Sequence, residues 1–269
     1  MAKYALLPDP DRIARPFRVV AHMNLRGGVG KTTASITLAT RAAQYGLRTC
    51  LLDLDPQGSA SLAFDAVPAD GDPIFLDVWA DPGRTLPGAL VSIQDGLALL
   101  PSNLENALLD ASLARPTQQK DAVAGVCARL RDLGYDLVVI DCPPALGTAV
   151  ISTICAADRI VIPCGSDPFS LKGVELTLQE ARAIRETFAL GDPDVSILYS
   201  RYDRREKMAD ASLEELRGRY NGAVLPTLIR TSTDYAKALG RRETVFASSR
   251  PSRAREDYDA YTRRILDLP

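Results

Sequence analysis

Short apolar segments alternate with helix-forming segments along most of this chain, and this alternation restricts the fold more than any other sequence feature. Segments typical of buried strands lie at 18–25, 48–53, 97–100, 136–141, 159–163, 195–199 and 223–229. Helical periodicity marks 32–45, 104–114, 118–133, 149–157, 171–188, 206–220, 233–239 and 253–266. Strands joined by helices of this length form right-handed crossovers and parallel sheets. We therefore predict an α/β fold, a mostly parallel twisted sheet with helices on both faces, in a single domain.

The two ends of this pattern set the predicted domain limits. Residues 1–17 contain three prolines and are expected to form an irregular N-terminal arm, so the domain spans 18–269. Residues 65–95 are rich in turn-forming residues, with a short apolar stretch at 75–79. In open parallel sheets, ligands bind beyond the carboxyl ends of the strands. Candidate functional residues should therefore follow the strand segments.

Composition excludes several classes of protein. No apolar run reaches the roughly 18 residues that a membrane helix needs, and the N-terminus lacks a signal-peptide pattern. The five cysteines have no metal-ligand spacing, which predicts reduced thiols in a cytoplasmic protein. His22 is the only histidine, so chemistry that needs several histidines is excluded.

The first strand segment leads into NLRGGVGKTT at 24–33, which predicts a phosphate-binding loop. Its glycines let backbone N–H groups surround phosphate oxygens, and the N-terminus of the following helix favours an anion. Lys31 would reach the β- and γ-phosphates, and the Thr32 hydroxyl would bind Mg²⁺. The loop departs from the usual pattern because Leu25 occupies the position of the first glycine and Arg26 precedes Gly27.

Carboxylates end the strand segments at 48–53 and 136–141. Asp53 and Asp55 are two residues apart on an extended segment, and Asp141 follows a buried apolar run. Beside a metal-bound triphosphate, such groups hold the metal through water or orient the attacking water. The sequence therefore predicts a nucleotide hydrolase, with Asp53, Asp55 and Asp141 near the metal.

Three motifs together resemble the ParA/MinD family of P-loop ATPases with a deviant Walker A motif. They are GGVGKTT at 27–33, DLDPQGS at 53–59 and YDLVVIDCPP at 135–144, with weaker similarity over 161–174 and 243–249. The second motif looks like the ParA side, which segregates plasmids, chromosomes or other large cargo. The resemblance implies a cytoplasmic, nucleoid-associated ATPase that uses ATP and Mg²⁺, hydrolyses ATP slowly, forms a homodimer around two ATP molecules, and responds to a ParB-like or cargo-adaptor protein.

The resemblance also implies a role for each site residue. ATP would be bound by Arg26, Gly27, Gly28, Val29, Gly30, Lys31, Thr32 and Thr33. Asp55 would orient the attacking water, and Thr32, Asp53, Asp55 and Asp141 would hold Mg²⁺ directly or through water. Arg26 stands where the family has a lysine that reaches the partner subunit's nucleotide. We expect Arg26 to act in the same way; the alternative is that it pairs with a carboxylate of its own subunit.

The carboxyl-terminal part of the chain is expected to bind DNA. Residues 201–269 hold 15 Lys and Arg against 11 Asp and Glu, whereas residues 1–200 hold 17 against 23. Cations spread over one face neutralise phosphates without reading bases, which gives nonspecific, salt-sensitive binding. The candidates are Arg204, Arg205, Lys207, Arg230, Lys237, Arg241 and Arg242. Scattered solvated charges are the plain alternative.

Two other functions fit the same motifs. A MinD-like membrane-associated regulator would carry a basic amphipathic helix at the C-terminus. We expect no such tail, because Tyr258, Tyr261, Ile265 and Leu268 have the spacing of a core-facing helix. A metabolic or redox enzyme of the superfamily is the second alternative, but its cluster-binding cysteine pattern is not apparent.

Overall fold

Eight strands form one sheet in the protein, for which a computed structural model describes residues 16–113 and 115–268. The strands are β1 (Arg18–His22), β2 (Thr49–Asp53), β3 (Val91–Gln94), β4 (Leu97–Leu100), β5 (Leu137–Asp141), β6 (Arg159–Cys164), β7 (Asp194–Tyr202) and β8 (Ile229–Arg230). Their order is β3-β4-β2-β5-β1-β6-β7-β8, and only β3 and β4 pair antiparallel among the described strands. The predicted fold class is confirmed. Residues 1–15 of the predicted N-terminal arm lie outside the described residues.

Helices connect the strands and cover both faces of the sheet. They are α1 (Lys31–Gln44), α2 (Ser59–Ala63), α3 (Phe75–Val78), α4 (Pro82–Ala89), α5 (Leu109–Ser112), α6 (Pro116–Asp132), α7 (Thr148–Ala156), α8 (Pro168–Thr187), α9 (Lys207–Arg219), α10 (Thr233–Leu239) and α11 (Arg253–Leu266). Helix α1 ends just before Gly46, whose φ of 80° is the left-handed conformation that glycine adopts at helix ends.

The core consists of two apolar layers, one on each face of the sheet. Side chains alternate along the strands, so that Val138 and Ile140 of β5 enter one layer while Leu137 and Val139 enter the other. Helices α4, α6, α7, α8 and α9 contribute to the first layer, and α1, α10 and α11 contribute to the second. By the same alternation, Asp141 lies on the α1 side of the sheet.

Three local predictions were wrong. Residues 65–95 are not only turns, because they contain α3, α4 and the antiparallel β3. The helix predicted at 104–114 begins as a 3-10 helix at Leu104–Leu108, and only Leu109–Ser112 is α-helical. The strand predicted at 223–229 is reduced to Ile229–Arg230 and a single bridge between Val224 and Ile197. Pro226 lies inside that segment and has no N–H to donate to a neighbouring strand.

Strand β1 lies between β5 and β6, which are far from it in sequence. The connection from β1 to β2 runs to one side of β1, and the connection from β5 to β6 crosses to its other side, so a crevice opens beyond the carboxyl end of β1. The predicted phosphate loop occupies this position. No helix among the described residues has the length and apolarity that crossing a membrane requires.

Candidate functional site

The carboxyl ends of three central strands lie side by side. Asp141 pairs in register with His22 of β1 on one side and with Asp53 of β2 on the other. Since neighbours in register point to the same face, the two carboxylates lie together on the α1 side. The structure thus brings together strand-end residues that are separated by 88 and 119 positions in the chain.

The loop between β1 and α1 has the backbone form of an anion site. Gly28 and Gly30 have φ values of 77° and 95°, a conformation in which other residues are strained. Gly30 precedes α1 directly, and no side chain caps the N-terminus of that helix. The N–H groups of the first turn are therefore free of a side-chain cap, which suits phosphate oxygens.

Lys31 is buried at the start of α1. Its Nζ donates a hydrogen bond of 2.9 Å to the carbonyl oxygen of Arg26, so the side chain folds back over the loop. Burial lowers the pKa of Lys31, and the negative charges of Asp141 and Asp55 oppose that shift. The ammonium group therefore lies against the backbone of the loop, within the electrostatic influence of Asp141 and Asp55.

Asp53 and Asp141 each keep one oxygen without a partner. Asp141 Oδ1 accepts a 3.0 Å hydrogen bond from Ser35 Oγ, and Asp53 Oδ2 accepts from Ser61 N at 2.8 Å and Ser61 Oγ at 2.7 Å. Their other oxygens are buried and make no hydrogen bond among the described residues. Burial raises the pKa of Asp53, and burial together with the charge of Asp53 raises the pKa of Asp141.

These shifts describe a site with an excess of negative charge. Two buried carboxylates at neighbouring positions of a sheet disfavour joint ionisation unless a cation lies between them. Mg²⁺ binds oxygen ligands and uses one or two carboxylates together with substrate phosphates. The two unpartnered oxygens and the Thr32 hydroxyl at the start of α1 are therefore suited to hold it.

Asp55 lies on a tightly built loop after β2. Its Oδ1 accepts from Gln57 N at 3.0 Å, and its carbonyl accepts from Gly58 N and Ser102 Oγ, both at 2.8 Å. Gly58 has a φ of 59°, and a Cβ there would lie 2.8 Å from the carbonyl oxygen of Ser102. The half-buried carboxylate of Asp55 is therefore presented from a backbone with little freedom.

Arg26 pairs with its own chain. Its Nη1 donates to Asp167 Oδ1, and its guanidinium lies 5.3 Å from the centre of the exposed Phe169 ring. The alternative predicted from the sequence, a carboxylate partner in the same subunit, is thus the arrangement of the single chain. A contact of Arg26 with a partner subunit's nucleotide remains a prediction.

The seven predicted DNA-binding cations do not form one free surface. Four carry carboxylate partners: Arg205 with Asp203, Arg230 with Asp257 and Glu256, Arg241 with Glu243, and Arg242 with Asp65. Arg204, Lys207 and Lys237 form no ion pair within the described part of the chain. Arg230 is the most engaged, because Nε and Nη2 both donate to Asp257, whose side chain is 9% exposed. Arg230 therefore joins β8 to α11 and is the weakest DNA candidate.

Sequence reasoning missed three side chains of the site. Ser35 and Ser61 orient the two strand-end carboxylates, and Asp167 holds Arg26. Asp167 could have been predicted as a helix N-cap, because Asp-Pro before a helical segment is a typical helix start. The predicted helix began at residue 171 instead of Pro168, so its cap was overlooked. Ser35 has no such sequence signal, since its partner Asp141 is 106 residues away, whereas Ser61 lies only eight residues after Asp53 and was not considered.

Comparisons with known proteins bear on the family and the fold. A family model described as "AAA domain" matches residues 17–192. The chromosome-partitioning ATPase Soj of Thermus thermophilus is 34% identical over 233 residues, which cover 85% of this chain and 87% of Soj. Among solved structures, apo McdA of Cyanothece superposes with a TM-score of 0.83 at 20% identity, covering 93% of this chain and 99% of McdA.

One further similar structure is that of a synthase. Cobyrinic acid a,c-diamide synthase of Mycobacterium smegmatis, with bound ATP analogue and magnesium, has a TM-score of 0.78 and 26% identity. The match covers 93% of this chain and 94% of the synthase.

Proposed function

Since this chain belongs to the ParA/MinD family of P-loop ATPases, we propose that it is an ATP-switched homodimer that binds DNA nonspecifically and positions a large cargo. A partner protein would stimulate its slow ATP hydrolysis. The cargo would be a chromosome, a plasmid or another large assembly, and the protein would be associated with the nucleoid.

One observation carries the ATPase part of the proposal. Two buried strand-end carboxylates, Asp53 and Asp141, are neighbours in the sheet, and each has one oxygen without a hydrogen-bond partner among the described residues; the buried ammonium of Lys31 lies within the electrostatic influence of Asp141. This charge pattern suits Mg²⁺ and a triphosphate, and the Mycobacterium smegmatis synthase was solved with both an ATP analogue and magnesium. When bound, Mg²⁺ neutralises charge on the phosphates. Thr32, Asp53 and Asp141 would hold it, and Lys31 would leave the carbonyl of Arg26 for the phosphates.

Asp55 is the residue that we assign to the attacking water. Its loop is held by Gln57 N, Gly58 N and Ser102 Oγ, which fixes the carboxylate relative to β2. A positioned carboxylate accelerates such a step by orienting the water at the γ-phosphate. Asp53 is less suited to this role because Ser61 occupies one of its oxygens twice.

The dimer part of the proposal is supported by apolar side chains beyond the strand ends. Leu104, Leu146 and Phe169 follow β4, β5 and β6, and they are 69%, 45% and 74% exposed. They therefore follow the carboxyl ends of these strands, and the phosphate loop follows the carboxyl end of β1. Exposed apolar groups around a site are typical of a surface that another protein covers. A second copy of the chain would cover both this surface and the nucleotide.

DNA binding is supported by the excess of cations in the last quarter of the chain. Arg204, Lys207 and Lys237 are the best candidates, because they make no ion pair within the described residues. Phosphate contacts of this kind give weak binding that falls steeply with salt. Such binding suits a protein that repeatedly releases and rebinds DNA.

Two variants test the proposal. Lys31→Ala should abolish ATP binding, whereas Arg26→Ala should bind ATP but lose ATP-dependent dimerisation. Arg131→Ala, which removes an exposed cation beside Asp132 on the distant helix α6, is the matched control and should behave like wild type. ATP affinity is measured by calorimetry and dimerisation by light scattering. Unchanged ATP affinity in Lys31→Ala would refute the loop assignment, and normal dimerisation of Arg26→Ala would end the role across the dimer.

The similarity to cobyrinic acid a,c-diamide synthase favours one competing function, an ATP-dependent ligase of small carboxylic acids. The two functions differ in what stimulates ATP consumption. A positioning ATPase should be retained on DNA in ATP, and DNA together with a partner should raise its turnover. A ligase should consume ATP only when a carboxylic acid and an amide nitrogen donor are both supplied.

A further inference from the structure

Asp167 holds Arg26 at the edge of the phosphate loop in the single chain. The proposed function, on which this inference rests, requires the same guanidinium to reach a second subunit. We propose that Asp167 is a positioning residue that keeps Arg26 turned toward its own chain and releases it only when ATP and a second copy of the chain compete for the guanidinium. ATP-dependent dimerisation would then be set by this pair.

The backbone of Arg26 is held independently of its side chain. Arg26 N donates to Asn24 Oδ1 at 3.0 Å, and Asn24 Nδ2 donates to the carbonyl of Pro163 at 2.8 Å. Helix α8 lies so close that a Cβ at Gly173 would be 2.5 Å from Asn24 Oδ1 and 3.3 Å from Arg26 Cβ. The loop has little room to move here. Release of Arg26 is therefore a rotation of its side chain, with the loop unchanged.

Asp167 remains satisfied when Arg26 leaves. Its carboxylate caps α8 by accepting from Phe169 N and Ser170 N, both at 3.1 Å, and from Ser170 Oγ at 2.5 Å. A negative charge is also favoured at the N-terminus of a helix. Although partial burial opposes the shift, the Ser170 hydroxyl and Arg26 lower the pKa of Asp167, which keeps the carboxylate ionised. Breaking the pair thus leaves no bare buried charge behind.

The ion pair between Arg26 and Asp167 is strong enough to shift the equilibrium between monomer and dimer, and weak enough for nucleotide phosphates to displace it. Both side chains are partly exposed, Arg26 by 34% and Asp167 by 43%, and such pairs contribute little to stability. The Phe169 ring adds a second weak contact to the guanidinium. Phosphate oxygens of a nucleotide offer several charged acceptors in exchange. Together these contacts should raise the nucleotide concentration needed for dimerisation by about three- to tenfold.

The test separates the charge of Asp167 from its role as a helix cap. Asn and Ser are both good N-cap residues, so Asp167→Asn and Asp167→Ser keep the cap and remove the charge. Dimerisation is titrated by light scattering with Mg²⁺ and a non-hydrolysable ATP analogue. Both variants should dimerise at about three- to tenfold lower analogue concentration than wild type. In hydrolysis assays they should lower KM for ATP and leave kcat unchanged.

Two controls show that the effect passes through Arg26. Glu206→Gln removes a nearby carboxylate whose side chain, among the described residues, accepts a hydrogen bond only from Ser166 Oγ, and it should not shift the titration. In an Arg26→Ala background, Asp167→Asn should leave analogue affinity unchanged. A titration equal to wild type, or one shifted to higher concentration, in both Asp167 variants would overturn the inference while the proposed function stands. If wild type itself fails to dimerise with the analogue, the proposed function fails and the inference with it.

Discussion

The only histidine of the chain should make the protein sensitive to acid. His22 is fully buried at the end of β1, and its Nε2 lies 2.5 Å from Tyr261 Oη of α11. Its Nδ1 has no hydrogen-bond partner among the described residues. Burial lowers the pKa of His22 to about 3, from an ordinary value of 6.5. The folded protein therefore keeps His22 neutral over a range in which the unfolded chain protonates it.

The sign and the size of the effect follow from this difference. Stability from the neutral imidazole is fully present above pH 6.5 and is lost as the pH falls toward 3, because the unfolded state binds the proton first. Each pH unit in this window corresponds to about 1.4 kcal/mol. Between about pH 7.5 and pH 4.5, the free energy of unfolding should therefore fall by about 3 kcal/mol through His22 alone.

The measurement compares wild type with His22→Gln, which stays neutral at every pH. Urea unfolding at about pH 7.5 and pH 4.5 gives the pH-dependent loss for each protein, and the variant should lose about 3 kcal/mol less than wild type. Tyr261→Phe is the control: it removes the hydroxyl partner but keeps the histidine, and should retain the acid sensitivity. Equal losses in wild type and His22→Gln, or an imidazole NMR signal that titrates near pH 6.5 in the folded protein, would refute the reasoning.

Three further predictions concern the site and its surroundings. Asp55→Ala should bind ATP like wild type but release phosphate at least about 100-fold more slowly; normal release would move the water-orienting role to another residue. Gly58→Ala should lower the free energy of unfolding by about 1–3 kcal/mol more than Gly71→Ala. Both glycines have positive φ, but of the two only Gly58 has a backbone oxygen where the new Cβ would lie. Equal losses would show that the backbone conformation alone determines the cost. Arg230→Ala should lower the free energy of unfolding by about 1–3 kcal/mol, because the Asp257 carboxylate loses its guanidinium partner and keeps the backbone N–H of residue 230; weaker DNA binding without loss of stability would instead identify Arg230 as a phosphate contact.

The central strands could be predicted from the sequence because they are apolar on both faces. In β5 all five residues are buried, and a short apolar run such as Leu137–Asp141 is typical of a strand that helices cover on both faces of the sheet. All five residues of β2 and the last four of β1 are buried as well, and the carboxyl ends of both strands carry the motifs. The architecture and the location of the phosphate loop followed from these segments.

The edges of the fold could not be predicted in the same way. Strand β3 is half-buried and pairs only with β4, so its pattern VSIQ lacks an apolar run. Helices α3 and α4 lie in a segment rich in proline and glycine, where Asp81 and Pro82 form a helix start inside an apparent turn. Short elements of this kind depend on contacts with the rest of the chain, which outweigh local propensity.

Residues of the candidate site could be predicted where one sequence motif carries them. They were missed where two interacting residues lie far apart in the sequence. The positions of Lys31, Asp53 and Asp141 at one end of the sheet could be predicted because each follows a strand within one motif, and their roles stay predictions. The partner of Arg26 was not found, since 141 residues separate it from Asp167 and only the packing of α8 against the loop joins them. For Arg230, positive charge in the sequence suggested DNA, whereas the structure places the side chain against Asp257.

The place of β1 between β5 and β6 has a consequence for how the protein is made. During synthesis the phosphate loop leaves the ribosome early. The two strands that pair with β1, at residues 137–141 and 159–161, are synthesised more than a hundred residues later. Until then, the strand that carries the loop has neither of its neighbours, and long-range pairing of this kind is slow. The nascent chain should therefore acquire ATP affinity only after β6 has emerged. ATP would then bind only chains that already contain β6 and would stabilise their folded state by mass action, whereas shorter chains would gain no stability from ATP.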